Sequence, residues 1–203
     1  MSAWRLRPGV VAAGLLPEGR VDVSEIAGVV RPLFGDAWPA RALWLCAVRL
    51  SDGHRIAFGR EGAPRTDVAT AVQASCAIPG WFAPVTIAGQ RYVDGGAHSP
   101  TNADLLRRDP PELVIVVSPM SAERGGNPLR RWHAVTLARE VAALKRAGAD
   151  VVTFEPSRAD LDVMGVNAMD PSRRAAVART ARDSAAARLA KYPLVIPGLG
   201  GRR

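Results

Sequence analysis

Apolar residues along this chain fall in short blocks separated by glycine, proline and aspartate, and the blocks alternate between helical and strand-like spacing. Residues 22–34, DVSEIAGVVRPLF, predict a short helix with Pro32 near its end. ALWLCAVRL (42–50) is a near-continuous apolar run, the pattern of a buried strand. SDGH then supplies an Asp-Gly turn, and RIAFG returns as the second strand of a hairpin. TDVATAVQASCAI (66–78) predicts a helix with Thr66 as its N-cap, stopped by Pro79-Gly80. APVTI and QRYVD flank Ala88-Gly89 and predict a second hairpin.

The second half of the chain is more regular. ELVIVVS (112–118) is rich in β-branched residues and ends at Pro119, which predicts another buried strand. From Pro128 to Ala147 the pattern predicts a helix: Leu137, Val141 and Leu144 fall on one face, and Gly148 supplies the stop. DVVTF (150–154) is again a strand, and Asp170-Pro171 forms an N-cap and first-turn pair opening an alanine-rich helix to about Tyr192. The tail PGLGGRR is expected to fray. Buried strands alternating with helices predict a layered α/β fold, and no internal repeat or low-complexity linker divides the 203 residues, a length that fits one domain.

Composition narrows the function classes. A hydrophobic fraction of 48% is that of a globular protein. No apolar run approaches the ~18 residues of a transmembrane helix. The N-terminal MSAWRLRPGVVAAGLLPEGR has two arginines before an apolar patch bracketed by Pro8 and Pro17, with no convincing cleavage site. No signal peptide is expected, and the expected location is cytoplasmic. Cys46 and Cys76 form no disulfide framework and lack metal-ligand spacing; both lie in apolar segments, where a buried reduced thiol is expected. The net charge of +8 raises nucleic acid as a partner. The basic residues, however, are almost all arginines, spread in pairs (Arg107-Arg108, Arg130-Arg131, Arg173-Arg174), no nucleic-acid-binding signature accompanies them, and aromatics are only 5%. A solvated arginine surface is expected, with peripheral contact to an anionic membrane left open because guanidinium pairs phosphate bidentately.

The chemical candidates centre on RYVDGGAHSPTN (91–102). By spacing alone, Asp94 followed by Gly95 is a hairpin or bulge corner. The order of elements before it, a helix, a Pro-Gly break and a hairpin, also places that carboxylate at a strand end, where sites gather in α/β proteins. Flanking glycines let backbone approach a reacting group closely. Other candidates have plainer explanations. Ser75 lies on a helix before Pro79, Ser99 in a polar turn, and Ser118 and Ser121 flank Pro119. His98 invites a Ser-His-Asp arrangement with Asp94, but a loop histidine in solvent is the more common case and the one expected here. His54 in a hairpin turn and His133 near a helix start have no ligand spacing, so neither a metal nor another cofactor is expected. Trp81 and Phe82 line an acyl pocket or make helix-end core contacts, and spacing does not choose between them.

The stretch 71–105, AVQASCAIPGWFAPVTIAGQRYVDGGAHSPTNADL, resembles the patatin-like phospholipase family. Ala74-Ser75, Ile78-Pro79-Gly80, Phe82-Ala83-Pro84-Val85 and Asp94-Gly95-Gly96 carry the resemblance, in order. It extends over roughly residues 20–120, with ALWLCAVRL and ELVIVVSPM similar to core strands. Residues 121–203 form a C-terminal helical and strand extension, within which DLDVMGVNAMDPSRRAAVAR (160–179) resembles an extension seen in bacterial members. The resemblance implies a lipid acyl hydrolase of three-layer α/β/α fold, working by a serine–aspartate dyad and an oxyanion-stabilising glycine loop, with no cofactor and an acyl ester as substrate. On this mapping Asp94 is the dyad base, and Gly95 and Gly96 shape its turn. No Gly-x-Ser-x-Gly occurs anywhere in the 203 residues, and Gly125-Gly126 in RGGNPLRR follows Asp94 with the wrong spacing to be the oxyanion loop. The expectation is therefore a single, incomplete domain over 1–203 that lacks the first strands and the nucleophile elbow. It would be inactive alone and prone to pair through an exposed sheet edge. A non-catalytic remnant that binds lipid or protein is the alternative.

Overall fold

The computed structural model describes residues 8–35, 37–122, 127–167 and 170–191. They are organised in two compact units, Met1–Asn102 and Ala103–Arg203. Both are mixed α/β.

The first unit is built on a four-stranded sheet. Its strands are β1 (Leu45–Arg49), β2 (Arg55–Phe58), β3 (Val85–Ile87) and β4 (Gln90–Asp94), in the order β2-β1-β4-β3. All neighbours run antiparallel, with Ala47 opposite both Ile56 and Asp94. The β1–β2 turn forms because Gly53 accepts a left-handed φ of +68° and donates its N–H to the Arg49 carbonyl at 2.8 Å. The Arg49 guanidinium closes it, with Nε 3.0 Å from Asp52 Oδ1 and 2.9 Å from Oδ2. That ion pair holds the Asp52 carboxyl well below its ordinary range.

Strand alternation sorts the side chains to two faces. Ala47, Phe58, Ile87 and Tyr92 point to one face, against Ala71 and Ala74 of helix α3 (Val68–Cys76). Phe58 and Tyr92 meet edge to face with centroids 5.1 Å apart, both fully buried. Burial of rings of this kind contributes about 1.5–3 kcal/mol apiece. Val48 and Val93 point to the other face, against Val10 of helix α1 (Pro8–Leu15). Helix α2 (Ser24–Phe34) packs on α3. Helices therefore cover both faces of the sheet.

Two expectations change here. Helix α1 was not foreseen, since its apolar patch shows no helical stripe. The N-cap of α3 is Asp67 rather than Thr66: Asp67 Oδ1 accepts the Thr70 N–H at 2.9 Å and Oδ2 accepts the Thr70 hydroxyl at 2.7 Å. A carboxylate three residues before a threonine satisfies two donors at once, which Thr66 one position earlier cannot do. Burial pushes the Asp67 carboxyl up, but the Thr70 hydroxyl and N–H outweigh it, so the group sits below its ordinary value. Asp67→Ala is expected to cost about 1 kcal/mol in urea melts near neutral pH. Because the folded value is depressed, the wild-type advantage is expected to shrink as pH falls through it.

The second unit is a parallel β-α-β. Strands β5 (Leu113–Val117) and β6 (Asp150–Phe154) pair in register from Leu113–Asp150 to Val117–Phe154. Helix α4 (Pro128–Arg146) joins them, capped by the Asn127 side chain on the Arg130 N–H at 3.0 Å. The predicted stripe holds, with Leu137 and Leu144 buried against Val114 and Val116. A 3-10 segment, Ala103–Arg108, lies on the same helix through the Ala103 N–H, which the buried Glu140 carboxylate accepts at 3.0 Å.

Strand β5 is not buried throughout as its composition implied. Val114 and Val116 face α4, whereas Ile115 is 53% and Val117 66% exposed. A β-branched run is buried on both faces only where a second layer is packed down tightly. The elements that follow β6 are α5 (Arg158–Met164), unforeseen and opened by a Ser157/Asp160 capping box, and α6 (Arg174–Leu189). Asp170 caps a 3-10 turn, Pro171–Arg173, ahead of α6 rather than the α-helix itself, and Tyr192 lies outside the described residues. Among the described residues no helix is long and apolar enough to cross a membrane.

Candidate active site

Asp94 is the last residue of β4, in the first unit. Its N–H donates to the Ala77 carbonyl at 2.9 Å, tying the strand end to the stretch just after α3. Its Oδ1 accepts the Gly96 N–H at 2.6 Å, which makes Asp94 the cap of a 3-10 turn, Gly95–Ala97. The carboxyl is half-buried, and burial pushes it above its ordinary value; the single Gly96 bond offsets this only in part. The Cys76 thiol is raised as well, by burial and then by the Asp94 charge, so it is a protonated neighbour rather than a thiolate nucleophile. A carboxylate with few donors and a raised pKa is a competent proton acceptor.

The two glycines have separable roles. A side chain on Gly95 would overlap the Cys46 carbonyl of β1, so the backbone passes flat against the neighbouring strand there. A methyl on Gly96 would meet only the Asp94 carboxylate, at 3.0 Å. Gly95 permits the turn, and Gly96 leaves room for the carboxylate that its N–H holds.

Asn102 is the residue that sequence reasoning overlooked. It adopts a left-handed φ of +51°, and its Nδ2 donates to the Ser99 carbonyl at 2.7 Å and to the Gly95 carbonyl at 3.4 Å. Arg55 of β2 donates to its Oδ1 at 3.1 Å. One side chain thus ties the turn behind Asp94 to an edge strand. The signal was present in Ser-Pro-Thr-Asn, since asparagine tolerates left-handed backbone in turns.

The remaining candidates occupy structural positions. Ser99 is fully buried, and its hydroxyl accepts the N–H groups of Thr101 and Asn102 at 3.3 and 3.1 Å. His98 caps the 3-10 turn and is half-buried, which corrects the expectation of a solvated loop histidine: the turn folds it inward. Ser75 sits on α3, half-buried. Cys46 and Cys76 are thiols, half-buried rather than buried. Trp81 and Phe82 stack with centroids 6.2 Å apart, and Trp81 is 54% exposed, so it is no core contact. His54 lies in the hairpin turn, 3.0 Å from Asp52.

In the second unit Ser118 and Ser121 are buried, and Ser121 donates to the Ser118 carbonyl at 2.9 Å. His133, also buried, lies 3.1 Å from the Met120 carbonyl through Nδ1, and burial lowers its pKa, keeping the ring neutral. Gly125 and Gly126 lie outside the described residues. Among the described residues no group of three or more His, Cys, Asp or Glu side chains is placed to hold a metal ion.

No curated protein matches the chain. Residues 8–107, which hold α1 to α3, β1 to β4 and the Asp94 turn, match the patatin-like phospholipase family.

Proposed function

We propose that this chain serves lipid acyl hydrolysis, with Asp94 as the base of a serine–aspartate dyad whose serine comes from outside these 203 residues. The observation that carries the reading is Asp94 itself. Within the stretch matched to the family, a half-buried carboxylate of raised pKa stands at a strand end, held by one backbone N–H. Every serine in the chain lacks the Gly-x-Ser-x-Gly setting, which supports an external nucleophile.

In the proposed reaction the serine oxygen attacks the ester carbonyl carbon while its proton passes to Asp94. The tetrahedral oxyanion collapses, the C–O bond to the alcohol breaks, and Asp94 returns the proton to the departing alkoxide. Water then attacks the acyl-serine by the same route: its proton goes to Asp94 and on to the serine oxygen, releasing the fatty acid. The oxyanion donors come with the serine segment. Trp81, exposed beside Phe82, is a wall for the acyl chain, and the substrate is a lipid ester reached from an anionic membrane surface.

The test is hydrolysis of p-nitrophenyl butyrate. The 203-residue chain alone is expected to show no rate above buffer. Fused behind the strand, Gly-x-Ser-x-Gly elbow and helix of a patatin-like phospholipase, it is expected to turn over. Asp94-dependent turnover by the chain alone overturns the external serine, and a folded but inert fusion overturns the hydrolase reading in favour of a binding scaffold.

A further inference from the structure

The peptide that joins Gly95 to Gly96 is hydrogen-bonded on both of its sides. It is a trans peptide, so its C=O and N–H lie in one plane and point in opposite directions. On one side the Gly96 N–H donates to Asp94 Oδ1 at 2.6 Å. On the other the Gly95 carbonyl accepts the His98 N–H at 2.9 Å, the Ser99 N–H at 3.1 Å and Asn102 Nδ2 at 3.4 Å. Whatever fixes that carbonyl therefore aims the N–H at the carboxylate. Hydrogen bonds accepted by the carbonyl also polarise the amide and strengthen the bond that its N–H donates.

Asn102 governs the last two of those donors. Its Nδ2 reaches the Gly95 carbonyl over a long bond, and donates more firmly to the Ser99 carbonyl at 2.7 Å. Its own N–H donates to the Ser99 hydroxyl at 3.1 Å. One residue thus grips the fully buried Ser99 at its carbonyl and its side chain, and Ser99 in turn holds Gly95. The grip uses the left-handed φ of +51°, which asparagine tolerates and most side chains do not. From β2, Arg55 donates to Asn102 Oδ1 at 3.1 Å, which orients the amide plane and leaves Nδ2 turned to the two carbonyls. A chain of hydrogen bonds then runs from guanidinium to carboxylate within the first unit, with the donor of every link on the Arg55 side.

We infer that Asn102 is a positioning residue for Asp94: held by Arg55, its amide fixes the Gly95–Gly96 peptide so that the Gly96 N–H is aimed at Asp94 Oδ1. Burial raises the Asp94 carboxyl and the Gly96 bond lowers it, so the strength of that bond sets how readily the group takes a proton. The other titratable groups beside it are the Cys76 thiol at the end of α3, which stays protonated, and His98, which caps the turn. The consequence for catalysis rests on the hydrolase reading, whereas the geometry of the turn does not.

Nuclear magnetic resonance of the full chain, following the Asp94 carboxyl carbon and the Gly96 amide through a pH titration, tests this. A residue that only props up the fold would lower the melting temperature without moving the Asp94 midpoint. Asn102→Gly keeps the left-handed backbone and deletes the amide. It is expected to raise the midpoint by about 0.5 or more and to move the Gly96 amide proton upfield. Arg55→Met is expected to give a smaller rise, and the double variant no more than Asn102→Gly alone, since both act along one path. An unmoved midpoint in Asn102→Gly overturns the assignment, as do additive rises, which would mean that Arg55 acts on Asp94 directly through space. Should Asn102→Gly fail to fold by circular dichroism, Arg55→Met decides: a rise with the Gly96 proton moved upfield supports the assignment, and a rise with that proton unmoved, or no rise, overturns it. In the serine-bearing fusion Asn102→Gly is expected to lower kcat about tenfold with KM unchanged, and an unchanged kcat would overturn the positioning role. An inert parent fusion would sink the hydrolase reading and leave the resonance result to stand by itself.

Discussion

Replacing Asp94 with asparagine is expected to stabilise the chain above the acid range while removing the proposed base. Burial raises the Asp94 carboxyl above its ordinary value of 3.8, so the folded state holds its proton more tightly than the unfolded state does. The sign follows from linkage. In acid, below both values, the group is neutral in either state and imposes no charge penalty. As pH rises through the unfolded value and then the folded one, the native state must bury a negative charge, and wild-type stability falls. Asparagine carries no charge, and its amide oxygen can still accept the Gly96 N–H that Asp94 Oδ1 accepts at 2.6 Å. The melting temperature of the variant is expected to exceed wild type near neutral pH, with the gap closing in acid. A gap independent of pH would show that the carboxyl is not desolvated. Stability gained by removing a strained functional group is a common signature of a catalytic position.

Gly95→Ala is expected to be among the most damaging single changes in the first unit, lowering unfolding free energy by about 3 kcal/mol. The added methyl overlaps the Cys46 carbonyl, a backbone group fixed in β1 between β2 and β4, so no side-chain rotation relieves it. The Gly95 carbonyl is also an anchor, accepting the His98 N–H at 2.9 Å and the Ser99 N–H at 3.1 Å, and displacement of residue 95 frees both. Gly96→Ala is the contrast. Its methyl meets only Asp94 Oδ1, so stability changes by less than about 1 kcal/mol while the carboxylate moves. Urea melts of the two variants side by side check this: equal losses would mean that the turn is not packed against β1.

Local signals carried most of what was legible in the sequence. The hairpin at Ala88-Gly89, the stripe of α4 and the strand end at Asp94 are written in adjacent residues, and the structure has each of them. Part of what escaped depends on partners distant in the chain. Asn102 acts through Arg55, 47 residues away, and no local pattern announces that bond. Ile115 and Val117 point away from α4 and stay more than half exposed, and the β-branched composition of the run does not reveal which of its faces is covered. The choice between Thr66 and Asp67 as cap turned on which side chain could satisfy both Thr70 donors.

The central claim is that Asp94 accepts the proton of an attacking serine, and kcat/KM for p-nitrophenyl butyrate tests it most directly. The serine-bearing fusion is measured with Asp94 and with Asp94→Asn, both shown folded. Loss of a positioned general base is expected to lower kcat/KM by about 10²–10⁴-fold, mainly in kcat. A variant that retains activity within tenfold of wild type would contradict the account.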